Sequence, residues 1–171
     1  TLEAWVNPST VTSAWRDVIY KADDNYYLEG TSTSNGVPVM GGTFSPTPLY
    51  GTTALAVNTW SHLATTYDGA TMRLYVNGVQ VASRSQTGNI VTSTNPLQIG
   101  GDSLYGQYFA GMIDEVRVYN RALSLSEVQS DMNTPVGSVP ANTPPSITTQ
   151  PVDQTVTAGT TVSFSVTASG T

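Results

Sequence analysis

The chain has 171 residues, the size of one domain or of one domain and part of a second, and its formal net charge is −6 at pH 7. Hydrophobic residues make up 39% of it and charged residues 11%, which excludes disorder of the whole chain because disordered segments combine low hydrophobicity with high charge. Five Arg and one Lys cannot form the basic surface that nucleic acids require. No apolar run approaches the roughly 20 residues of a membrane span, so we expect no membrane insertion.

The composition favours a protein made of β-strands. Thr and Ser make up about a quarter of the chain, which also has 9 Tyr, 15 Gly and 10 Pro. Thr and Tyr are enriched in strands, whereas Gly and Pro are enriched in turns. The lack of Cys excludes disulfides, thiolate metal sites and a Cys nucleophile. Acidic, Cys-free β proteins rich in Thr and Ser are common among secreted bacterial modules, so we expect a secreted or cell-surface location.

The alternation of apolar and polar residues predicts many short strands. The first covers residues 1–6, so the chain opens inside a strand and is interpreted as a fragment of a longer protein. Asn77-Gly78 lies between two alternating runs and predicts a tight hairpin, since both turn residues need positive φ. The other predicted strands cover residues 18–20, 26–29, 60–67, 72–76, 79–82, 97–99 and 112–119, with a loop around one short strand at 36–49.

One short helix is predicted near the end of the first domain. Ser124 and Glu127 have the spacing of a capping box, in which each side chain bonds to the other residue's amide. The predicted helix covers residues 125–132. About two turns are too short to be stable alone, so we expect the helix to pack against the sheets.

The composition changes after residue 133. Residues 134–145 contain four Pro and no charge, which predicts an extended linker. Residues 146–171 alternate again, and we interpret them as the first strands of a second β domain. Such a short segment cannot bury a core alone.

Four motifs follow one another along residues 1–133. They are Leu2-Glu3-Ala4-Trp5-Val6, Trp60-Ser61-His62-Leu63-Ala64 with Tyr67-Asp68-Gly69, Leu74-Tyr75-Val76-Asn77-Gly78, and Gly111-Met112-Ile113-Asp114-Glu115-Val116-Arg117-Val118-Tyr119 followed by Asn120-Arg121-Ala122-Leu123-Ser124. Together they resemble the bacterial laminin-G-like domain of the concanavalin A-like lectin/glucanase superfamily. The resemblance implies an all-β jelly-roll sandwich of two antiparallel sheets. Residues 146–171 resemble the start of a bacterial immunoglobulin-like domain.

A catalytic site is not expected within this chain. Glycoside hydrolases of the same superfamily carry Glu-x-Asp-x-x-Glu on one strand, which places their carboxylates on one face. The four Glu residues of this chain do not lie in that motif. We therefore interpret the protein as a non-enzyme.

Two acidic positions are candidate calcium ligands. Asp114 falls in the same alternation phase as Val116 and Val118, and a carboxylate facing apolar surroundings needs a partner or a cation. The resemblance also implies that an Asp at this position helps to bind a structural Ca²⁺. Asp102, like Asp23 and Asp24, is an oxygen donor in a predicted loop. The alternatives are a cap or bulge at Asp114 and plain turns at the others.

Several charged residues share the phase opposite to the apolar residues of their strands. Two interpretations stay open for this face: a solvated ion-pair surface, or a sugar-binding platform on which Trp5 stacks while charged groups donate and accept hydrogen bonds. The platform residues would be Glu3, Trp5, Arg73 and Arg117.

The Gly-rich segment 100–111 carries exposed or core-covering aromatic residues. Tyr105 and Tyr108 could bind a glycan there, because loops carry specificity in jelly rolls. The same segment, which also holds Phe109, could instead cover the core. His62, next to Trp60 in phase, is interpreted as a packed structural residue.

The function that these predictions favour is a non-catalytic carbohydrate-binding or adhesion module within a longer chain. The resemblance implies a glycan, or a cell-surface or matrix protein, as its partner, and we expect the module to be monomeric. The alternatives are an accessory domain of an extracellular glycoside hydrolase or polysaccharide lyase, and a structural spacer in an adhesin.

Overall fold

The computed structural model describes residues 1–137 and 145–169. Contacts divide the chain into two units, Thr1–Val136 and Gly137–Thr171. The first unit is built from short strands and one helix. Its strands are β1 Leu2–Pro8, β2 Arg16–Lys21, β3 Tyr26–Thr31, β4 Val39–Gly42, β5 Leu49–Tyr50, β6 Ser61–Tyr67, β7 Thr71–Val76, β8 Val79–Ser85, β9 Leu97–Ile99 and β10 Gly111–Val118, and its helix is α1 Leu125–Met132.

The strands of the first unit form two five-stranded antiparallel sheets. The first sheet has the order β10-β1-β6-β7-β8 and the second the order β5-β4-β3-β2-β9. Many neighbours in each sheet are distant in the chain, as β1 and β10 are. The predicted all-β class, with two antiparallel sheets and one short helix, is confirmed.

The core lies between the two sheets. Alternate residues of β1 point into it, and Leu2, Ala4 and Val6 are all buried. The second sheet contributes Ile19 and Leu28, which are also fully buried. Because successive side chains of a strand point to opposite faces, the intervening residues lie on the outer faces, where the functional side chains are found.

Helix α1 covers part of the outer face of the first sheet. It begins as predicted: the Glu127 amide donates to Ser124 Oγ at 3.3 Å, and the Ser124 amide donates to Glu127 Oε2 at 2.8 Å. Val128 is fully buried and packs in a second small core. The sheet contributes Ala64 and Tyr75 to that core, so β1 and β6 are buried on both faces.

Strand β10 contains a bulge that the alternation pattern does not reveal. Glu3 lies opposite Arg117 and Trp5 opposite Asp114, so β10 has one residue more than β1 over this stretch. The extra residue is accommodated at Glu115, whose φ is +53°.

The bulge corrects the prediction for Asp114. Ile113 and Val116 both contact the core although they are three residues apart. Asp114 is therefore exposed instead of facing apolar surroundings. One additional residue in a strand reverses the face of the sheet to which every earlier side chain of that strand points.

The predicted hairpin between β7 and β8 is confirmed. Asn77 and Gly78 have φ values of +50° and +71°, as a two-residue turn with positive φ at both positions requires. The Asn77 side chain also accepts a hydrogen bond from the His62 amide at 2.8 Å. The turn is thus tied to the neighbouring strand β6.

The second unit is described by itself. Its strands β11 Ser146–Thr149 and β12 Thr167–Ser169 pair antiparallel. Ile147, Val152 and Phe164 are exposed, so the described part of this unit has no buried core, which agrees with its length. The immunoglobulin-like assignment stays a prediction, and most of the predicted linker lies outside the described residues.

Candidate functional site

The predicted sugar platform on the first sheet lies beneath helix α1. Trp5 is half-buried, its Nε1 donates to the Met132 carbonyl at 3.3 Å, and its ring meets His62 edge-on at 5.5 Å. Glu3, on the same face of β1, is fully buried. These contacts serve the docking of the helix and enclose Glu3, so Glu3 is neither a solvated residue nor open to a sugar. Sugar binding at the half-buried Trp5 stays a prediction.

The two platform arginines make local ion pairs. Arg73 Nη1 lies 2.8 Å from Asp68 Oδ2, and Arg117 Nη2 lies 3.3 Å from Glu115 Oε2. Arg117 also donates to the carbonyl of Thr134, just after helix α1. Their charges are therefore already neutralised by protein groups.

Two titratable groups under the helix are held neutral. Burial, followed by the nearby Asp131, raises the pKa of Glu3 to about 8. Burial, followed by the positive charge of Arg117, lowers the pKa of His62 to about 4. Within the part of the chain that the structure describes, neither His62 nitrogen has a hydrogen-bond partner. The edge-on contact with the Trp5 ring fits the interpretation of His62 as a packed structural residue.

The two predicted calcium ligands already accept backbone hydrogen bonds. Asp114 Oδ1 accepts from the Glu115 amide at 2.8 Å. Asp102 is buried, and its oxygens accept from the amides of Tyr105 and Gln107. Among the described residues, no group of three or more His, Cys, Asp or Glu is arranged to hold a metal ion. Calcium at Asp114 or Asp102 stays a prediction.

The aromatic segment between β9 and β10 covers the core with one ring and exposes two others, for which glycan binding stays a prediction. Phe109 packs on the core, whereas Tyr105 and Tyr108 are 52% and 60% exposed. Tyr105 Oη donates to Asp23 Oδ1 at 2.8 Å, and its ring meets Tyr20 edge-on at 6.5 Å. The segment thus holds Tyr105 above the outer face of the second sheet.

A pocket of about 260 Å³ lies on that outer face. Tyr27 and Glu29 reach it from alternate positions of β3, and Trp15 reaches it from the residue before β2. Tyr105 and Gln107 form its wall from the β9–β10 segment, and Asp24 lies at its rim. Sequence reasoning identified only Tyr105 as a binding residue here, with Asp24 as a loop oxygen donor.

Aromatic rings line one side of this pocket. The Trp15 ring centroid lies 6.2 Å from that of Tyr27, at an interplanar angle of 83°. It lies 6.2 Å from that of Tyr50 as well, at 45°. Gly41, opposite Tyr27 on β4, leaves the space for this arrangement, because a side chain there would overlap the Tyr27 hydroxyl.

Buried carboxyl groups lie at the pocket and directly beside it. Glu29 lines the pocket, and Asp17 is its cross-strand partner on β2; both are buried. Among the described residues, neither oxygen of Asp17 nor Glu29 Oε2 has a hydrogen-bond partner. Burial, together with the neighbouring carboxyl groups, raises the pKa of both residues.

A second cavity, of about 400 Å³, has a different character. It is lined mainly by aromatic and apolar side chains, among them Tyr26, Phe44 and Tyr67, and no carboxylate lines it. The pocket of about 260 Å³ on the second sheet combines aromatic rings with convergent carboxyl and amide groups, which is the usual composition of a ligand site. It is therefore the candidate functional site.

The fold and the pocket agree with the comparison to known families. The family model for laminin-G-type domains of the concanavalin A-like lectin/glucanases superfamily matches residues 1–129. The chain belongs to this superfamily, as the sequence motifs predict. None of the described helices has the length and apolar character to cross a membrane.

Two solved structures share the fold. Domain 4 of AbnA, an extracellular arabinanase from Geobacillus stearothermophilus in complex with arabinotriose, is 25% identical, with a TM-score of 0.60; the match covers 77% of this chain and 65% of that one. The sialidase module CBM40 from Ruminococcus gnavus, bound to α2,3-sialyllactose, is 17% identical, with a TM-score of 0.60 and coverage of 75% and 79%. The latter likeness shows the fold alone.

A curated relative matches part of the first unit. Pappalysin-1 from Mus musculus is 41% identical over 80 residues, which is 44% of this chain. The chain spans 5% of the length of that relative.

Proposed function

We propose that the first unit is a non-catalytic carbohydrate-binding module of a secreted or cell-surface protein, and that it binds a sugar in the pocket on the second sheet. The observation that carries this proposal is the juxtaposition of Trp15 and Tyr27 with Glu29 and Gln107. Aromatic rings pack against the apolar face of a sugar ring, and carboxyl and amide groups bond its hydroxyls. The arabinotriose complex of the related arabinanase domain supports this ligand class.

The size of the pocket limits the ligand. Its volume of about 260 Å³ lies just below the ~300 to 1,000 Å³ of pockets that enclose drug-sized molecules. We therefore expect recognition of one sugar ring, with neighbouring rings of an oligosaccharide extending over exposed Tyr105 and Tyr108.

Calorimetric titration with arabinotriose, together with a glycan array, tests the proposal. Trp15→Ala is expected to weaken binding by roughly thirtyfold, since truncating a central Trp of a binding site costs ~2 kcal/mol. Gln107→Ala is a second variant that leaves the rings in place and is expected to weaken binding less. Trp60→Ala is the matched control, because Trp60 is 40% exposed and does not line the pocket.

Two results would contradict the proposal. The absence of glycan binding by the folded wild type would favour the spacer or the protein-adhesion alternative. Equal losses in the Trp15 and Trp60 variants would place the site elsewhere. Binding that is lost in EDTA would keep the carbohydrate-binding function and support the predicted calcium at Asp114 or the acidic loops.

A further inference from the structure

The pocket presents carboxyl groups without a counter-charge. Glu29 lines it, is 2% exposed, and has a buried Oε2 without a hydrogen-bond partner among the described residues. Asp17, its cross-strand partner, adds a second buried carboxyl group behind it. Asp24 adds an exposed carboxylate at the rim.

All six basic residues belong to the described part of the chain, and none of them lines the pocket. Three form ion pairs, namely Arg73 with Asp68, Arg117 with Glu115, and Arg121 with Glu127. The other three donate to uncharged groups: Arg16 to the Trp15 carbonyl, Lys21 to the Asn95 carbonyl, and Arg84 to Ser45 Oγ. The pocket therefore lacks a cation that could bind an acidic ligand.

We propose that the carboxyl groups that line this pocket, those of Glu29 and Asp24, make it selective for uncharged sugars and exclude acidic ones such as sialic and uronic acids. The inference rests on the proposed function and names the ligand class of the same site. A sugar carboxylate placed in this pocket would lose its hydration and meet like charges, with no cation to offset either effect.

Matched pairs of uncharged and acidic probes test this selectivity. Lactose is compared with α2,3-sialyllactose, and xylotriose with glucuronic acid-substituted xylotriose, alongside arabinotriose. At pH 7 and low salt the acidic member of each bound pair is expected to bind at least tenfold more weakly. Because charge repulsion is screened by salt, the difference is expected to shrink at 0.5 M NaCl.

Two variants assign the effect to the pocket charges. Asp24→Asn removes the exposed charge at the rim and leaves Glu29 in place, and it is expected to reduce the difference about threefold. Asp114→Asn makes the same charge change at an exposed position outside the pocket, and it is expected to leave the difference unchanged.

Each contrary outcome has a distinct meaning. Equal or tighter binding of the acidic probes would overturn the inference and leave the proposed function intact. A difference that neither salt nor Asp24→Asn reduces would show a steric cause and would also overturn it. If no probe binds to the folded protein, the proposed function and the inference fail together.

Discussion

Glu3 and His62 show how single residues on a β-strand acquire unusual protonation. Both lie on the outer face of the first sheet, where an ordinary sandwich would expose them to water. Helix α1 covers that face, so desolvation favours the neutral form of each. Their neutrality is a consequence of the helix and not of their own strands.

Glu3→Gln is expected to reduce the pH dependence of stability. The folded-state pKa of Glu3, about 8, lies above the unfolded value of about 4.3. The folded state therefore holds more protons between these values, and its contribution to stability falls as the pH rises through that window. We expect the variant to be more stable than the wild type at pH 8, by on the order of 1 to 4 kcal/mol, and similar at pH 4.

Thermal melting between pH 4 and 9 checks this prediction. His62 acts in the opposite sense, because its lowered pKa makes stability fall as the pH drops from about 6.5 to about 4. Because both proteins contain His62, its contribution cancels when the pH profile of the variant is compared with that of the wild type. Parallel pH profiles for wild type and variant would contradict the assignment to Glu3.

Gly41→Ala is expected to damage the pocket through one atom. The backbone there has no strained φ, so the effect is steric: the added Cβ overlaps the hydroxyl of Tyr27 and must displace its ring. We expect weaker sugar binding and an unfolding free energy lower by ~1 to 3 kcal/mol. Gly51→Ala is the milder control, since its Cβ would contact only Pro38. Unchanged binding in Gly41→Ala would show that the Tyr27 ring is not needed.

At the scale of elements, α1 depends on its first turn. Ser124→Ala removes the side chain that accepts from the Glu127 amide and is expected to cost about 1 kcal/mol of unfolding free energy. Urea unfolding measures this value. Ser130→Ala, at an exposed position of the same helix, is expected to be neutral or slightly stabilising. A loss equal in both variants would mean that the capping box contributes nothing specific.

The sequence predicted the positions of the strands, the turn and the helix better than it predicted the sheet face to which each side chain points. Alternation, the Asn77-Gly78 turn and the capping box at Ser124 depend on neighbouring residues, and each was found where expected. The bulge at Glu115 was only an alternative at the sequence level, because a single additional residue leaves the hydrophobic pattern of β10 almost unchanged while reversing the direction of Asp114.

The pocket was missed for a similar reason. Trp15, Glu29 and Gln107 come from three separate segments, and the register between β2 and β3 shifts twice around Asp17. No local pattern states that these residues meet. The Tyr27-x-Glu29 alternation was the available signal, since it places an aromatic ring and a carboxyl group on one outer face.

At the scale of the whole molecule, the two outer faces are expected to contribute independently to pH-dependent stability. Glu3 lies on the first sheet and Glu29 on the second, and stacked sheets are about 10 Å apart. Raised pKa values at both sites predict that the melting temperature falls as the pH rises from 5 to 8.

The double variant Glu3→Gln/Glu29→Gln measures this independence. At pH 8 its stabilisation is expected to equal the sum of the single variants within about 0.5 kcal/mol, as is usual for distant sites. Asp17→Asn/Glu29→Gln is the comparison, because these two residues are adjacent and are expected to deviate from additivity. A large coupling between Glu3 and Glu29 would contradict the separation of the two faces.

The burial of β1 on both faces also bears on which substitutions the protein can tolerate. Glu3, Ala4 and Val6 are enclosed from either side, so nearly every exchange in that strand would disturb either the core or the seat of the helix. Trp15, Tyr105 and Gln107 line the pocket at the surface of the other sheet. Among the described residues of the first unit, no helix covers them as α1 covers β1. In a library of variants, changes in β1 are therefore expected to be lost through misfolding, whereas changes at the three pocket residues are expected to survive with altered ligand preference.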